Sequence, residues 1–74
     1  MGELKIISDE GDTKVIWNPE NADEVEAAEA QFDMLIDRGF TAYKVKKSGE
    51  QGKKIKKFDE DAGKIIMVPK IVGG

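Results

Sequence analysis

The segment KIIMVP, residues Lys64 to Pro69, contains the longest uninterrupted run of apolar residues in the chain. Because successive side chains of a strand point to opposite faces, the run from Ile65 to Val68 makes a strand that is apolar on both faces. Strands of this kind lie inside a sheet, whereas strands with one solvated face alternate apolar and polar residues. Pro69 ends the strand because proline has no amide hydrogen to donate. The segment therefore predicts a central strand.

Four other segments are rich in β-branched or alternating residues and are predicted as strands: Leu4–Ser8, Asp12–Trp17, Phe40–Lys46 and Lys54–Phe58. The first two are separated by a short loop that ends at Gly11, which can adopt positive φ, so they predict a hairpin. The segment Lys54–Phe58 is rich in lysine, and charged side chains of this kind are typical of an edge strand.

One amphipathic helix is predicted from Asn21 to Arg38. Asn21 is a favourable N-cap, and Glu24 completes a pattern similar to a capping box. The apolar residues of the segment recur at three- and four-residue spacing: Val25, Ala28, Phe32, Leu35 and Ile36. Gly39 stands where a left-handed residue ends a helix. We therefore expect Phe32 and Leu35 to be buried against the sheet.

The order of these elements is strand, strand, helix, strand, strand, strand. A single helix covers only one face of a sheet, so the order predicts a two-layer α+β domain with an open sheet face. The first and last strands are the most apolar, and their parallel pairing in the middle of the sheet needs a crossover, which the helix supplies. This is the β-grasp arrangement. We expect one domain over residues 1–69 and a flexible tail over residues 70–74.

Composition excludes several classes of function. The chain has 74 residues, no cysteine and no histidine, which removes the usual zinc sites and the Ser–His and Cys–His nucleophile systems. The short apolar runs exclude a membrane-spanning helix. We therefore expect a protein that is not an enzyme, that binds no cofactor and no membrane, and that resides in the cytoplasm, where disulfides are rare and a chain without cysteine fits.

The last ten residues resemble the end of the small subunit of molybdopterin synthase and, in the terminal Gly-Gly, the thiamine-pathway sulfur carrier. Pro69, Ile71, Gly73 and Gly74 stand where that pattern places them. Ubiquitin is also similar in length, in element order and in its terminal Gly-Gly. The chain departs from these families in Lys70, in its lysine-rich hairpin and in its acidic helix. The resemblance is therefore to the ubiquitin-like and sulfur-carrier proteins as a group.

The resemblance implies that Gly73 and Gly74 form a terminus whose carboxylate is activated by an adenylating enzyme, which uses ATP and magnesium. The activated terminus would then be joined to lysines of target proteins or converted to a thiocarboxylate for a sulfur-acceptor enzyme. The sequence leaves open whether the chain is a modifier, a carrier or neither.

A partner is expected to dock on the open sheet face. We expect Ile66 and Val68, together with Ile71, to contact that partner. The pair Ile65 and Met67 is the alternative, depending on which side of the strand faces the helix. Trp17, Tyr43 or lysine stems could instead cover this face.

Two other classes of function are weighed. The hairpin from Lys44 to Lys57 carries seven lysines and one acidic residue, so it could contact phosphates, with Tyr43 or Phe58 stacking on a base. It contains no arginine and the chain has a net charge of −3, so nucleic-acid binding is not expected. The other class is a small structural or adaptor protein that binds a partner through its sheet edge. The adjacent carboxylates of Asp59, Glu60 and Asp61 do not have the spacing of a calcium loop or an acid–base pair.

Overall fold

The computed structural model describes residues 1–45 and 52–70, which form a small α+β domain with one helix and a mixed five-stranded sheet. The elements are β1 (Gly2–Ile6), β2 (Thr13–Trp17), α1 (Ala22–Asp37), β3 (Thr41–Val45), β4 (Lys53–Ile55) and β5 (Lys64–Val68). Their spatial order in the sheet is β2-β1-β5-β3-β4. Strands β1 and β5 are parallel and the other pairs are antiparallel. The predicted central, parallel pairing of the first and last strands is confirmed.

The helix begins and ends as its capping residues predict. The Asn21 side chain accepts hydrogen bonds from the backbone N–H groups of Asp23 and Glu24, at 3.1 and 3.2 Å. The Glu24 carboxylate does not bond the Asn21 backbone, as a capping box requires, but accepts from the Asn18 N–H and from the Asn21 side-chain amide. At the other end, Gly39 has a φ of 96°. Gly39 N–H donates to Ile36 and Phe40 N–H to Leu35, which is the Schellman pattern.

The core lies between α1 and one face of the sheet. Phe32 and Leu35 are buried, as predicted, at 0% and 5% exposure. The fully buried large side chains are Trp17, Phe32, Leu4, Ile65 and Met67. The indole N–H of Trp17 donates to the backbone oxygen of Glu60 at 3.0 Å, so its polar atom is satisfied inside the core. The helix α1 has neither the length nor the hydropathy to cross a membrane, and it is the one helix in the described residues.

Two strand assignments differ from the sequence prediction. β1 begins at Gly2 rather than at Leu4, because Gly2 pairs with Trp17 and packs under its indole ring, and it ends at Ile6 rather than at Ser8. β4 is three residues long and ends at Ile55, before the predicted end at Phe58. The Phe58 ring instead packs on Trp17 and Phe32, with ring centroids at 4.9 and 5.8 Å. Packing against Trp17, which is distant in sequence from Gly2 and from Phe58, therefore accounts for the start of β1 and for the position of Phe58 outside β4.

Replacing Gly2 by alanine is expected to destabilise the domain. A Cβ on Gly2 would overlap the Trp17 indole ring, which is fully buried and has no room to turn aside. Overpacking of this kind costs about 1–3 kcal/mol of unfolding free energy. Urea denaturation checks the value, with Lys14→Ala, at an exposed position of the paired strand β2, as the control.

The same Gly2→Ala change should cost less in a Trp17→Leu background, because the smaller side chain leaves space for the methyl group. If Gly2→Ala is neutral in the native background, or costs the same in both backgrounds, the packing described here is wrong.

Candidate functional site

The candidate reactive terminus begins where β5 ends. β5 stops at Val68, immediately before Pro69, as the sequence predicts. Pro69 and Lys70 are the last described residues, and the predicted site residues Ile71, Gly73 and Gly74 lie outside the described part of the chain. Because β5 lies between β1 and β3, Pro69 and Lys70 follow a strand in the middle of the sheet rather than one at an edge.

The second candidate region is the open face of the sheet, which is the face turned away from α1. Alternation along each strand and the pairing registers of the sheet decide which side chains lie on this face. They are Glu3, Lys5, Lys14, Ile16, Thr41, Tyr43, Val45, Lys54, Lys64, Ile66 and Val68. Ile65 and Met67 are fully buried on the opposite, helix-covered face. Ile66 and Val68 are therefore the apolar pair of β5 that the open face presents.

One row of this face crosses the whole sheet, from β2 at one edge to β4 at the other. Neighbouring members of the row are paired in register: Lys14 with Lys5, Lys5 with Ile66, Ile66 with Tyr43, and Tyr43 with Lys54. The row is therefore cationic at both ends and apolar in the middle. We call these five residues the cross-sheet row.

Coverage of the open face differs from one expectation. Trp17 does not cover this face, because it points into the core and is fully buried. Tyr43 does lie on the face, next to Ile66, but its side chain remains 37% exposed. Ile16 on β2 is 55% exposed. The open face therefore retains accessible apolar surface among its lysines.

Local ion pairs neutralise part of the positive charge of the open face. Lys5 lies 3.7 Å from the Asp12 carboxylate, and Lys64 lies 3.6 Å from that of Glu3. Lys14 and Lys54 are in no ion pair with another described residue. The four lysines and Glu3 give the face a net positive charge, which attracts anionic groups.

The acidic loop after β4 has a structural role. The Asp59 carboxylate accepts a hydrogen bond from Lys44 Nζ at 2.7 Å and another from the Asp61 N–H at 2.9 Å. These contacts, led by the Lys44 hydrogen bond, hold the pKa of Asp59 below its usual range. Within residues 1–45 and 52–70, no group of three acidic, histidine or cysteine residues is arranged to hold a metal ion.

Removing this carboxylate is expected to make the free energy of unfolding less dependent on pH. The folded-state pKa of Asp59 is lowered, so the Lys44–Asp59 pair stabilises above the unfolded pKa, near 3.8. That stabilisation disappears as the pH falls through the lower, folded-state value. Both side chains are about a third or more exposed, so Asp59→Asn should cost less than about 1 kcal/mol at neutral pH.

The measurement is urea denaturation of Asp59→Asn and the native chain at neutral pH and again well below the folded-state pKa. The two chains should differ at neutral pH and converge in acid. Asp61→Asn, which leaves the pair intact, is the control. An equal loss at both pH values would show that the pair is not the cause.

Of the lysines considered for nucleic-acid binding, Lys53 and Lys54 are adjacent on β4 and therefore lie on opposite faces of the sheet. Lys44 is bound to Asp59, and Lys46 and Lys47 lie outside the described part. The exposed lysines of this region are Lys53, Lys54, Lys56 and Lys57. The strand β4 lies at the edge of the sheet, as its lysines predict.

The chain was also compared with models of known protein families, with curated proteins and with solved structures. None of the three comparisons gives a match. The sheet order, the open face and the Gly-Gly sequence that follows β5 are therefore the observations on which function is argued.

Proposed function

We propose that the chain is a ubiquitin-like or sulfur-carrier protein with a β-grasp fold, whose C-terminal Gly73–Gly74 carboxylate is activated by a partner enzyme. The observation that carries this proposal is the strand order β2-β1-β5-β3-β4, with parallel β1 and β5 at its centre. The helix α1 makes the crossover in this arrangement. A Gly-Gly sequence follows the central strand β5 after a short connecting segment.

The terminus would react as follows. An oxygen of the Gly74 α-carboxylate attacks the α-phosphorus of ATP, and magnesium-bound pyrophosphate leaves, which gives an acyl adenylate. A partner thiolate then displaces AMP to form a thioester, and a target lysine amine converts the thioester to an amide. In a sulfur carrier, hydrosulfide or its equivalent displaces AMP and leaves a thiocarboxylate. Glycine suits this position because it has no Cβ to obstruct a narrow channel.

The chain itself contributes a reactive end and a docking surface, while catalysis, ATP and magnesium belong to the activating enzyme. Ile66 and Val68 lie on the open face and form the proposed contact with that enzyme. We extend the contact to Ile71, which follows directly after the described segment. Target lysines or a sulfur-acceptor enzyme would be the later partners. We propose that this takes place in the cytoplasm.

Exchange of labelled pyrophosphate into ATP tests the proposal. A fraction of the source cells that contains the activating enzyme should catalyse the exchange when the full chain is added. The matched control is the same chain with a C-terminal amide, which removes the reacting carboxylate and changes no side chain. Exchange with the carboxylate form alone supports the proposal. Equal rates with both forms, or no exchange with either, would contradict it.

A second candidate function is an adaptor that binds a partner strand at a sheet edge. The observation in its favour is the edge strand β2, where Ile16 is 55% exposed. A partner retained after removal of Gly73 and Gly74, and lost when Ile16 is replaced by lysine, would favour this function.

A further inference from the structure

The outer surface of α1 carries a charge pattern opposite to that of the open sheet face. From Glu20 to Asp37 the chain has seven acidic residues and no basic one. Within the described part of the chain, none of the α1 carboxylates takes part in an ion pair. The solvated side of α1 is therefore an anionic surface whose charge is not neutralised by the fold described here.

Apolar side chains lie among these acids on the same side of the helix. Helical spacing places Glu26, Ala30, Met34 and Asp37 together, facing away from the buried stripe of Ala28, Phe32 and Leu35. Met34 is 39% exposed although it is a large apolar residue. This surface, which we call the outer helix row, is thus acidic at both ends and apolar in the middle.

The two rows have complementary charges and similar lengths. Glu26 and Asp37 are eleven positions apart, which corresponds to about 16 Å along a helix. The cross-sheet row spans four strand spacings from Lys14 to Lys54, or about 19 Å. A helix laid across the strands would bring its two carboxylates near the two terminal lysines. Its Ala30 and Met34 would then lie over Ile66 and Tyr43.

We propose that these surfaces bind one another in different copies of the chain, so that α1 of one molecule lies on the open sheet face of the next. The contact is head-to-tail, so in a pair of molecules each one keeps a row free to bind a further copy. Contacts of this type extend into rings or open chains rather than closing as a dimer. The proposal concerns self-association and holds whether or not the C-terminal glycines are activated.

The contact should be weak and sensitive to salt. Lys14, Lys54, Glu26 and Asp37 are all exposed, so their attraction is screened as ionic strength rises. The apolar part is small, because Tyr43 and Met34 are only partly exposed before association. Sedimentation velocity of the full chain at low salt should therefore show an average mass that rises with protein concentration. Adding salt to about 0.5 M should return the chain to monomer.

Charge reversal tests whether the two rows are the surfaces in contact. The double variant Lys14→Glu with Lys54→Glu should weaken association at least about tenfold, since both interacting rows are then acidic. Adding Glu26→Lys and Asp37→Lys to that variant should restore association, because both rows are reversed together. The double variant Lys57→Glu with Lys70→Glu changes the net charge equally at exposed sites outside the row, and it should associate like the native chain. Circular dichroism checks that each variant is folded.

The proposal is wrong if the chain stays monomeric at low salt and at about millimolar concentration. It is also wrong if association survives the reversal of Lys14 and Lys54, or if the variant with both rows reversed does not regain association. A monomeric chain whose open face binds an oligonucleotide or a different protein would also overturn it, since the occupant would not be a second copy.

Discussion

Phe32→Ala is expected to lower the free energy of unfolding by about 3–5 kcal/mol, the cost of truncating a buried aromatic side chain. Phe32 is fully buried at the centre of the interface between α1 and the sheet, and its ring packs edge-on against Phe58. A chain of this length has a total stability of only about 4–11 kcal/mol. The variant should therefore be partly or wholly unfolded near physiological temperature.

Thermal and urea denaturation followed by circular dichroism measure this effect. Met34→Ala is the matched control, because Met34 lies on the opposite side of the same helix and is 39% exposed. At a dilution where the chain is monomeric, the control should change stability by less than about 1 kcal/mol. If Phe32→Ala costs no more than Met34→Ala, the helix does not pack as described.

Deleting Gly73 and Gly74 is expected to abolish activation by the adenylating enzyme and to leave the melting temperature nearly unchanged. The deletion moves the terminal carboxylate to Val72, two residues closer to the domain and beside a β-branched side chain, whereas neither glycine has a side chain to contribute to the core. Gly74→Ala should impair activation less completely, since it keeps the length of the chain and adds only one Cβ beside the carboxylate.

The deletion is measured with the pyrophosphate-exchange assay and a thermal melt of the same sample. Glu10→Ala, at an exposed position in the loop between β1 and β2, is the control and should retain both activation and stability. Activation of the deletion variant would disprove a role for the two glycines. A large fall in its melting temperature would show instead that the terminus belongs to the core.

The helix and the central strand were predictable because their signals are local. The cap at Asn21, the apolar stripe and Gly39 together define α1 to within one residue at each end. The apolar run from Ile65 to Val68 predicts a strand with neighbours on both sides, and β5 has them in β1 and β3. In α1 and β5, residues that are close together in sequence determine the type of element and its bounds.

Other features depend on contacts between distant residues. Glycine is disfavoured in strands, yet Gly2 begins β1 because the Trp17 indole ring occupies the space of a side chain. The sequence predicts that Phe58 ends a strand, but its ring packs against those of Trp17 and Phe32. Neither contact leaves a signal in the local sequence.

The candidate site was predictable only in part, for a similar reason. In a strand that is apolar on both faces, periodicity does not tell which pair of residues faces the helix. Pairing with β1 and β3 places Ile65 and Met67 in the core, so Ile66 and Val68 lie on the open face. The cross-sheet row also required the register of all five strands. Ile71, Gly73 and Gly74 lie outside the described residues, and their role remains a prediction from sequence.

The most direct test of the proposed function is the intact mass of the chain purified from the cells that produce it. Activation of Gly74 predicts one of two products. A sulfur carrier shows a gain equal to the difference between a sulfur and an oxygen atom, located at the terminal carboxylate. A modifier shows conjugates whose mass is the sum of the chain and a target, less one water. Finding the full chain only at its unmodified mass would contradict the proposal.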